Sequence, residues 1–180
     1  MCFSRRTRGF SLFELLITLA LLAILCGMAW PSWQLFFHRT QSQARLEKLE
    51  QTLYFARQEA LLRQETVTLC ASRDQENCGG DWQAGWLLLS EAEGGEPQIL
   101  RAFHFSQSGG LLHWRAFPHN REICQFLPSG ATNHENGTFW YCSGTQAAWA
   151  LTLGQAGQWQ VRYPNRRGEL RDERGLLLPC

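Results

Sequence analysis

Lysine is all but missing from this chain: Lys48 is the sole one, and every other strong cation is arginine. Neither sign of charge is in excess, with 17 Lys+Arg against 16 Asp+Glu, so there is no global field to recruit nucleic acid. The seven cysteines include no CxxC pair, which removes the commonest spacing of a zinc site. His38, His104, His113, His119 and His134 show no HxxxH spacing, so no metal is expected from them. Ser129, in PSGA, lacks the glycine two residues before it that a nucleophile elbow requires. The glycine-rich stretches follow neither the phosphate-loop nor the dinucleotide pattern. No internal repeat and no low-complexity linker occurs. The sequence therefore offers no catalytic residue, no cofactor site and no enzymatic chemistry; a membrane-tethered enzyme has no candidate to stand on.

What the chain does have is one long apolar run, and only one. Phe10 to Trp30 spans 21 residues interrupted only by Ser11, Glu14 and Thr18 as polar positions, apart from Gly27. At a rise of 1.5 Å per residue it covers roughly 30 Å, about one bilayer core. Seven cysteines are also many for 180 residues. Cys2 and Cys26 lie before and within the run. Cys70, Cys78, Cys124, Cys142 and Cys180 lie in the polar part, which points to disulfides and an oxidising compartment.

The start reads MCFSRRTRG and then FSLFELLITLALLAILCGMAW. An ordinary secretory signal is cut after its apolar stretch, at small residues; here Trp30, Pro31 and Trp33 follow instead. The basic leader ends at Gly9, directly before the run. A cut there would remove Arg5, Arg6 and Arg8, keep the apolar helix, and leave 14 basic residues against 16 acidic. Before that cut the arginines would hold this end in the cytoplasm and send the rest across the membrane. Glu14 is a carboxylate inside the run, costing about 2.5–3.5 kcal/mol in a bilayer unless it is paired. A new α-amino group at Phe10, one helical turn upstream, would supply that partner; the alternative is that Glu14 sits near the headgroups, protonated or wet.

RRTRG–FSLFELL resembles the N-terminus of type IV pilins and type II secretion pseudopilins. The resemblance implies cleavage between Gly9 and Phe10 by prepilin peptidase, N-methylation of Phe10, and a role for Glu14 in docking each subunit against the next. It also implies a single-pass bacterial inner-membrane protein with its C-terminal domain in the periplasm, later incorporated in a pilus or pseudopilus with other major and minor subunits. Pro31 falls where pilins usually carry a helix-kinking proline.

Past Pro31 the spacing stays helical. Leu46, Leu49, Leu53, Ala56 and Ala60 recur every three or four residues, which predicts helix to about Gln64. From Thr66 the texture changes to short apolar runs between turn residues. Strands are predicted at 66–71, 84–90, 98–105, 110–116, 122–127, 138–142, 147–153 and 158–163, with turns at Gly79–Gly80, Gly94–Gly95, Gly109–Gly110 and Asn136–Gly137. The fold class is α+β: a long N-terminal helix followed by an antiparallel β domain packed on it. Cys70 and Cys78 flank a short polar loop that a disulfide would close. Cys124 and Cys142 flank a hairpin centred near Asn133, which would set them opposite each other. Cys180 is then either bridged back to the domain in place of one of these partners, or unbridged.

The β domain is similar to the GspH/FimT family of minor pilins and pseudopilins, on VTLCAS…C…WQAGWLLL followed by ICQFLPSGATNHENGTFWYC. With it the parts divide into a leader at 1–9, a transmembrane and polymerisation helix at 10–30, its amphipathic continuation at 31–64, the β domain at 65–163 and a C-terminal tail at 164–180. The resemblance implies an assembly function, as a priming or tip minor pilin of a type IV pilus or as a type II secretion pseudopilin. Some FimT proteins bind DNA through a C-terminal Gly–Arg–x–Arg motif during natural transformation. The matching place here is Gly157–Gln158–Trp159–Gln160, with glutamine at both arginine positions. A basic stretch follows with Arg162, Arg166, Arg167, Arg171 and Arg174, interleaved with Glu169, Asp172 and Glu173, so residues 162–174 carry a net charge of only +2. That pattern reads as a solvated, self-paired tail, with DNA binding as the alternative and Arg166 and Arg167 the residues to test.

Overall fold

A computed structural model describes residues 12–91, 95–105, 110–117, 122–133 and 136–180, with the side chains of 28–36 and 38 outside the description. The chain divides into two units, Met1–Thr40 and Gln41–Cys180. The described part of the first is helix, the leading portion of α1 (Leu12–Arg63). Its large apolar side chains are exposed, from Leu12 and Phe13 through Ile24 and Leu25. Among the described residues no helix is long and apolar enough to cross a membrane.

In the second unit the stripe foreseen on α1 is the spine of the core. Leu46, Leu49, Leu53, Ala56 and Ala60 are each 1% exposed or less. Alternate three- and four-residue steps keep them on one helical face, and the two alanines let strands come close. The helix stops at Arg63. Gln64 takes a left-handed φ of 56° and donates its side-chain amide to the carbonyl of Leu61, a cap that satisfies one orphan acceptor.

Eight strands follow: β1 (Thr66–Ala71), β2 (Gly85–Glu91), β3 (Gln98–His104), β4 (Leu111–Phe117), β5 (Ile123–Phe126), β6 (Asn136–Ser143), β7 (Gln146–Leu153) and β8 (Trp159–Arg162). They form two antiparallel four-stranded sheets, ordered β3-β2-β1-β5 and β4-β6-β7-β8. Inner residues of both sheets and the helix stripe make one cluster, with Trp86, Trp149, Phe126 and Phe139 fully buried.

Three tryptophans tie the sheets to α1 through their indole N–H groups. Trp86 on β2 donates to Thr52 Oγ1 at 3.2 Å, Trp149 on β7 to the Ser42 carbonyl at 2.9 Å, and Trp159 on β8 to Glu50 Oε1 at 3.2 Å. A buried indole needs such an acceptor, and spacing the acceptors along the helix fixes where each strand crosses it. Along the other side, cations lie over rings: Arg45 over Phe105 at 3.7 Å, Lys48 over Phe103 at 4.6 Å, and Arg101 over Phe55 at 3.7 Å. Burial lowers the pKa of Arg45 from its ordinary value. The sole lysine of the chain thus has its charge on a ring face where β3 meets α1.

Two local readings are corrected. Asn136–Gly137 is no turn but the opening of β6, where a Cβ on Gly137 would stand 2.0 Å from the Trp114 ring. The glycine is needed for the close approach of an indole, not for a reversal of the chain. The hairpin reading of Cys124 and Cys142 also fails. Chain reversal after β5 occurs at Leu127–Gly130, and Asn133 N–H donates back to the Gln125 carbonyl at 3.1 Å. The chain then leaves for the other sheet, so β5 pairs with β1 and β6 with β4 and β7. Cys142 is bonded to Cys180 instead, and Cys124 is a buried thiol outside any disulfide.

Candidate functional site

Gly9 and Phe10 lie outside the described residues. Glu14 sits in the first turn of the described helix, exposed, and is the only charged residue between Leu12 and Gly27. Around it Phe13, Leu15, Leu16 and Ile17 are 71, 49, 56 and 45% exposed. An exposed helix surface this apolar is unusual in water, and Glu14 is the one charge on it.

Cys70 and Cys78 are joined, with Cα atoms 5.5 Å apart. The enclosed loop is organised by Asp74. Its Oδ1 accepts from the backbone N–H groups of Glu76 and Asn77 and lies 3.2 Å from Ser72 Oγ, and its Oδ2 accepts from the Asn77 amide. Those bonds, led by the Asn77 side chain, hold the Asp74 carboxyl well below the usual carboxylate range.

Three of the five arginines proposed for nucleic acid are paired with acids. Arg162 pairs with Glu173 at 3.9 Å, Arg171 with Glu169 at 3.4 Å, and Arg174 with Asp172 at 3.3 Å while lying over the Phe117 ring. Arg166 and Arg167 are exposed at the Asn165–Gly168 turn. Trp159, in the position of the family's DNA motif, points its N–H at α1.

The tail expected at 164–180 is self-paired, and it is also folded. Asn165 and Asp172 each open a turn closed by a glycine three residues on, Gly168 and Gly175, with φ of 76° and 78°. Leu178 N–H donates to the Leu170 carbonyl, and Arg171 bridges to Leu177, making a small hairpin. Leu170 and Leu178 pack on Trp140, Cys142, Ala147 and Ala150, the side of the β4-β6-β7-β8 sheet turned away from the main core. Trp140 donates its indole N–H to the Pro179 carbonyl at 2.9 Å. The sequence reading missed this hairpin, although the repeated pattern Asn165–x–x–Gly168 and Asp172–x–x–Gly175 is a turn signature.

A cavity of about 150 Å³ lies between this hairpin and the sheet, lined by Arg115, Phe117, Asn136, Thr138, Asp172 and Arg174 among others. Asp172, 8% exposed, stands 4.0 Å from Arg115. A second cavity of about 350 Å³ runs by Trp82, His113, Trp114 and Glu122. His113 stacks on Trp140 with centroids 5.0 Å apart, and burial lowers its pKa, favouring the neutral ring. Among the described residues no group of three His, Cys, Asp or Glu converges as a metal site.

A long helix whose second part is buried by antiparallel sheets, with an apolar first part carrying one carboxylate, defines a pilin-like fold. The family described as Type II transport protein GspH matches residues 45–162, and the prokaryotic N-terminal methylation motif matches residues 4–30. The chain belongs to the GspH family, and with it to the minor pilin and pseudopilin class. Two crystal structures of the type IV minor pilin FimU of Pseudomonas aeruginosa share its fold. One, in space group P21, is 24% identical with a TM-score of 0.54, covering 71% of this chain and 92% of that one. The other, in space group P65, is 23% identical with a TM-score of 0.50, covering 67% and 91%. No curated protein matches.

Proposed function

We propose that this chain is a minor assembly subunit, priming or tip, of a type IV pilus. It is made as an inner-membrane precursor with residues 1–9 as leader, cut between Gly9 and Phe10 by prepilin peptidase, N-methylated on Phe10, and inserted through its helix. The observation that carries this reading is the methylation motif at residues 4–30 on an exposed apolar helix, in a chain whose domain has the FimU fold. Cohesion comes from helix packing and register from Glu14, whose partner is the methylated amino group of its own or a neighbouring subunit. The β domain, 65–163, and the folded segment after it stay outside the helical packing, and no catalytic step belongs to the protein. The family description favours a second reading, a pseudopilin of a type II secretion system.

Filament assembly tests the first reading. Glu14→Asp, which keeps the charge, is expected to support incorporation, and Glu14→Leu to reduce it at least about tenfold, the loss of one buried polar pairing. Equal incorporation of both variants would sink the pairing. Pull-down of the tagged chain separates the two machines, since pilus minor subunits and secretion pseudopilins are distinct sets of partners.

A further inference from the structure

The two cysteines of the second disulfide differ in exposure. Cys142 is 1% exposed on β6, whereas Cys180 is exposed. The segment between Tyr163 and Cys180 is held to the sheet by buried Leu170 and Leu178, by the bond from Trp140 to the Pro179 carbonyl, by Arg174 over the Phe117 ring, and by the pairings of Asp172 with Arg115 and of Glu173 with Arg162. Its remaining positions are largely exposed, Leu176 and Leu177 among them. Two buried leucines, one indole hydrogen bond, one cation–ring contact and two ion pairs at 3.9 and 4.0 Å stand against the entropy of ordering such a length of chain, and a covalent link lowers that entropic cost.

We propose that Cys142–Cys180 is a thiol-exchange site that latches this hairpin over the outer face of the β4-β6-β7-β8 sheet, and that a dithiol reductant opens it. A thiolate of the reductant attacks Sγ of Cys180, the exposed residue of the pair; the S–S bond breaks, and Cys142 leaves as a thiolate that takes up a proton. The second thiol of the reductant then displaces Cys180 from the mixed disulfide. The chain gains two thiols, and the reductant is oxidised to its disulfide. Release of the hairpin uncovers Trp140, Ala147 and Ala150.

The other disulfide differs in consequence. Cys78 is also exposed, but its loop keeps the Asp74 bonds and the bond from Gly79 N–H to the Ala71 carbonyl. Opening it moves little.

Limited trypsin digestion of the full chain in detergent micelles tests the latch, reading cleavage after Arg171 and Arg174, with Arg57 on α1 as the report on the folded domain. Cys180→Ser without reductant is expected to be cut at the two hairpin sites at least about tenfold faster than the oxidised wild type, matching wild type in dithiothreitol. Cys78→Ser should keep the wild-type rate there, and Arg57 should stay protected throughout. Hairpin cleavage of Cys180→Ser at the wild-type rate overturns the proposal, because the contacts alone then hold the segment. So does equal loss of protection at Arg57, because the disulfide then holds the whole domain and not a latch. Acceleration by Cys78→Ser overturns it as well.

Discussion

Thr52→Val isolates one of the bonds by which the sheets grip the helix. Thr52 is 1% exposed, donates to the Lys48 carbonyl at 2.7 Å, and accepts the Trp86 indole N–H at 3.2 Å; Trp86 is fully buried. Valine has nearly the same shape and helix propensity, so the packing and the helix are conserved. The hydroxyl's own bond is lost together with its donor, because the Lys48 carbonyl keeps its place in the helix. The indole is a donor only and is left in the core with no acceptor, which costs about 1–3 kcal/mol. Urea unfolding of a 35–180 fragment, followed by tryptophan fluorescence, should show the midpoint falling by about 1 M with an unchanged slope. The control is the same substitution in a Trp86→Phe background, where no N–H remains. There Thr52→Val should cost less than about 0.5 kcal/mol, giving a coupling energy of about 1–2 kcal/mol. An equal cost in both backgrounds would refute the reasoning, since the hydroxyl would then matter for something other than the indole.

Four further outcomes are expected. Gly157 has a φ of 71°, and a Cβ there would meet the Gly130 carbonyl at 2.0 Å, so Gly157→Ala should cost more than about 2 kcal/mol in the same unfolding assay. Gly168→Ala, with a similar φ of 76° but open space around it, should cost only about 1 kcal/mol. Asp74 has its carboxyl depressed in the folded state, so its contribution to the Cys70–Cys78 loop is present above the ordinary aspartate value of about 3.9 and is lost as pH falls through the lower folded value. The amide shifts of Glu76 and Asn77 in an NMR titration should therefore stay constant down to pH about 4 and move only below it; a midpoint at the ordinary value would contradict the network. Labelled duplex DNA titrated by fluorescence anisotropy across a salt series should show no salt-dependent binding that Arg166→Ala/Arg167→Ala removes, because three of the five arginines are paired to acids of their own segment.

The helix and all eight strands were legible because each carries a local signal: a three-and-four stripe on α1, and short apolar runs bounded by turn residues in the domain. What local signals do not carry is which strand pairs with which. The stretch from Cys124 to Cys142 reads as a hairpin, yet its halves belong to different sheets, and only the core shared between those sheets dictates the crossing. Asn136–Gly137 misled for a related reason, since a glycine required by the Trp114 ring looks in sequence like one required by a turn. The segment after Arg162 was read by its charges, and its net charge says nothing of Leu170 and Leu178, which seat it. Glu14, by contrast, stood out from sequence alone because a lone carboxylate in an apolar run is a local anomaly.

The helix grip has a consequence for how the domain comes into being. Ser42 and Glu50 accept from Trp149 and Trp159, residues 107 and 109 positions later in the chain. At about 5–20 residues per second, synthesis delivers β7 and β8 roughly 5–20 seconds after the helix they cover. Over that interval Leu46, Leu49 and Leu53 have only part of their cover. Contacts this distant in sequence close slowly in any case, because the loop entropy must be met before the contact rewards it. The domain is therefore a late folder, completed only once β8 has emerged, and a chain cut short before Trp149 keeps its apolar stripe open to whatever is nearest.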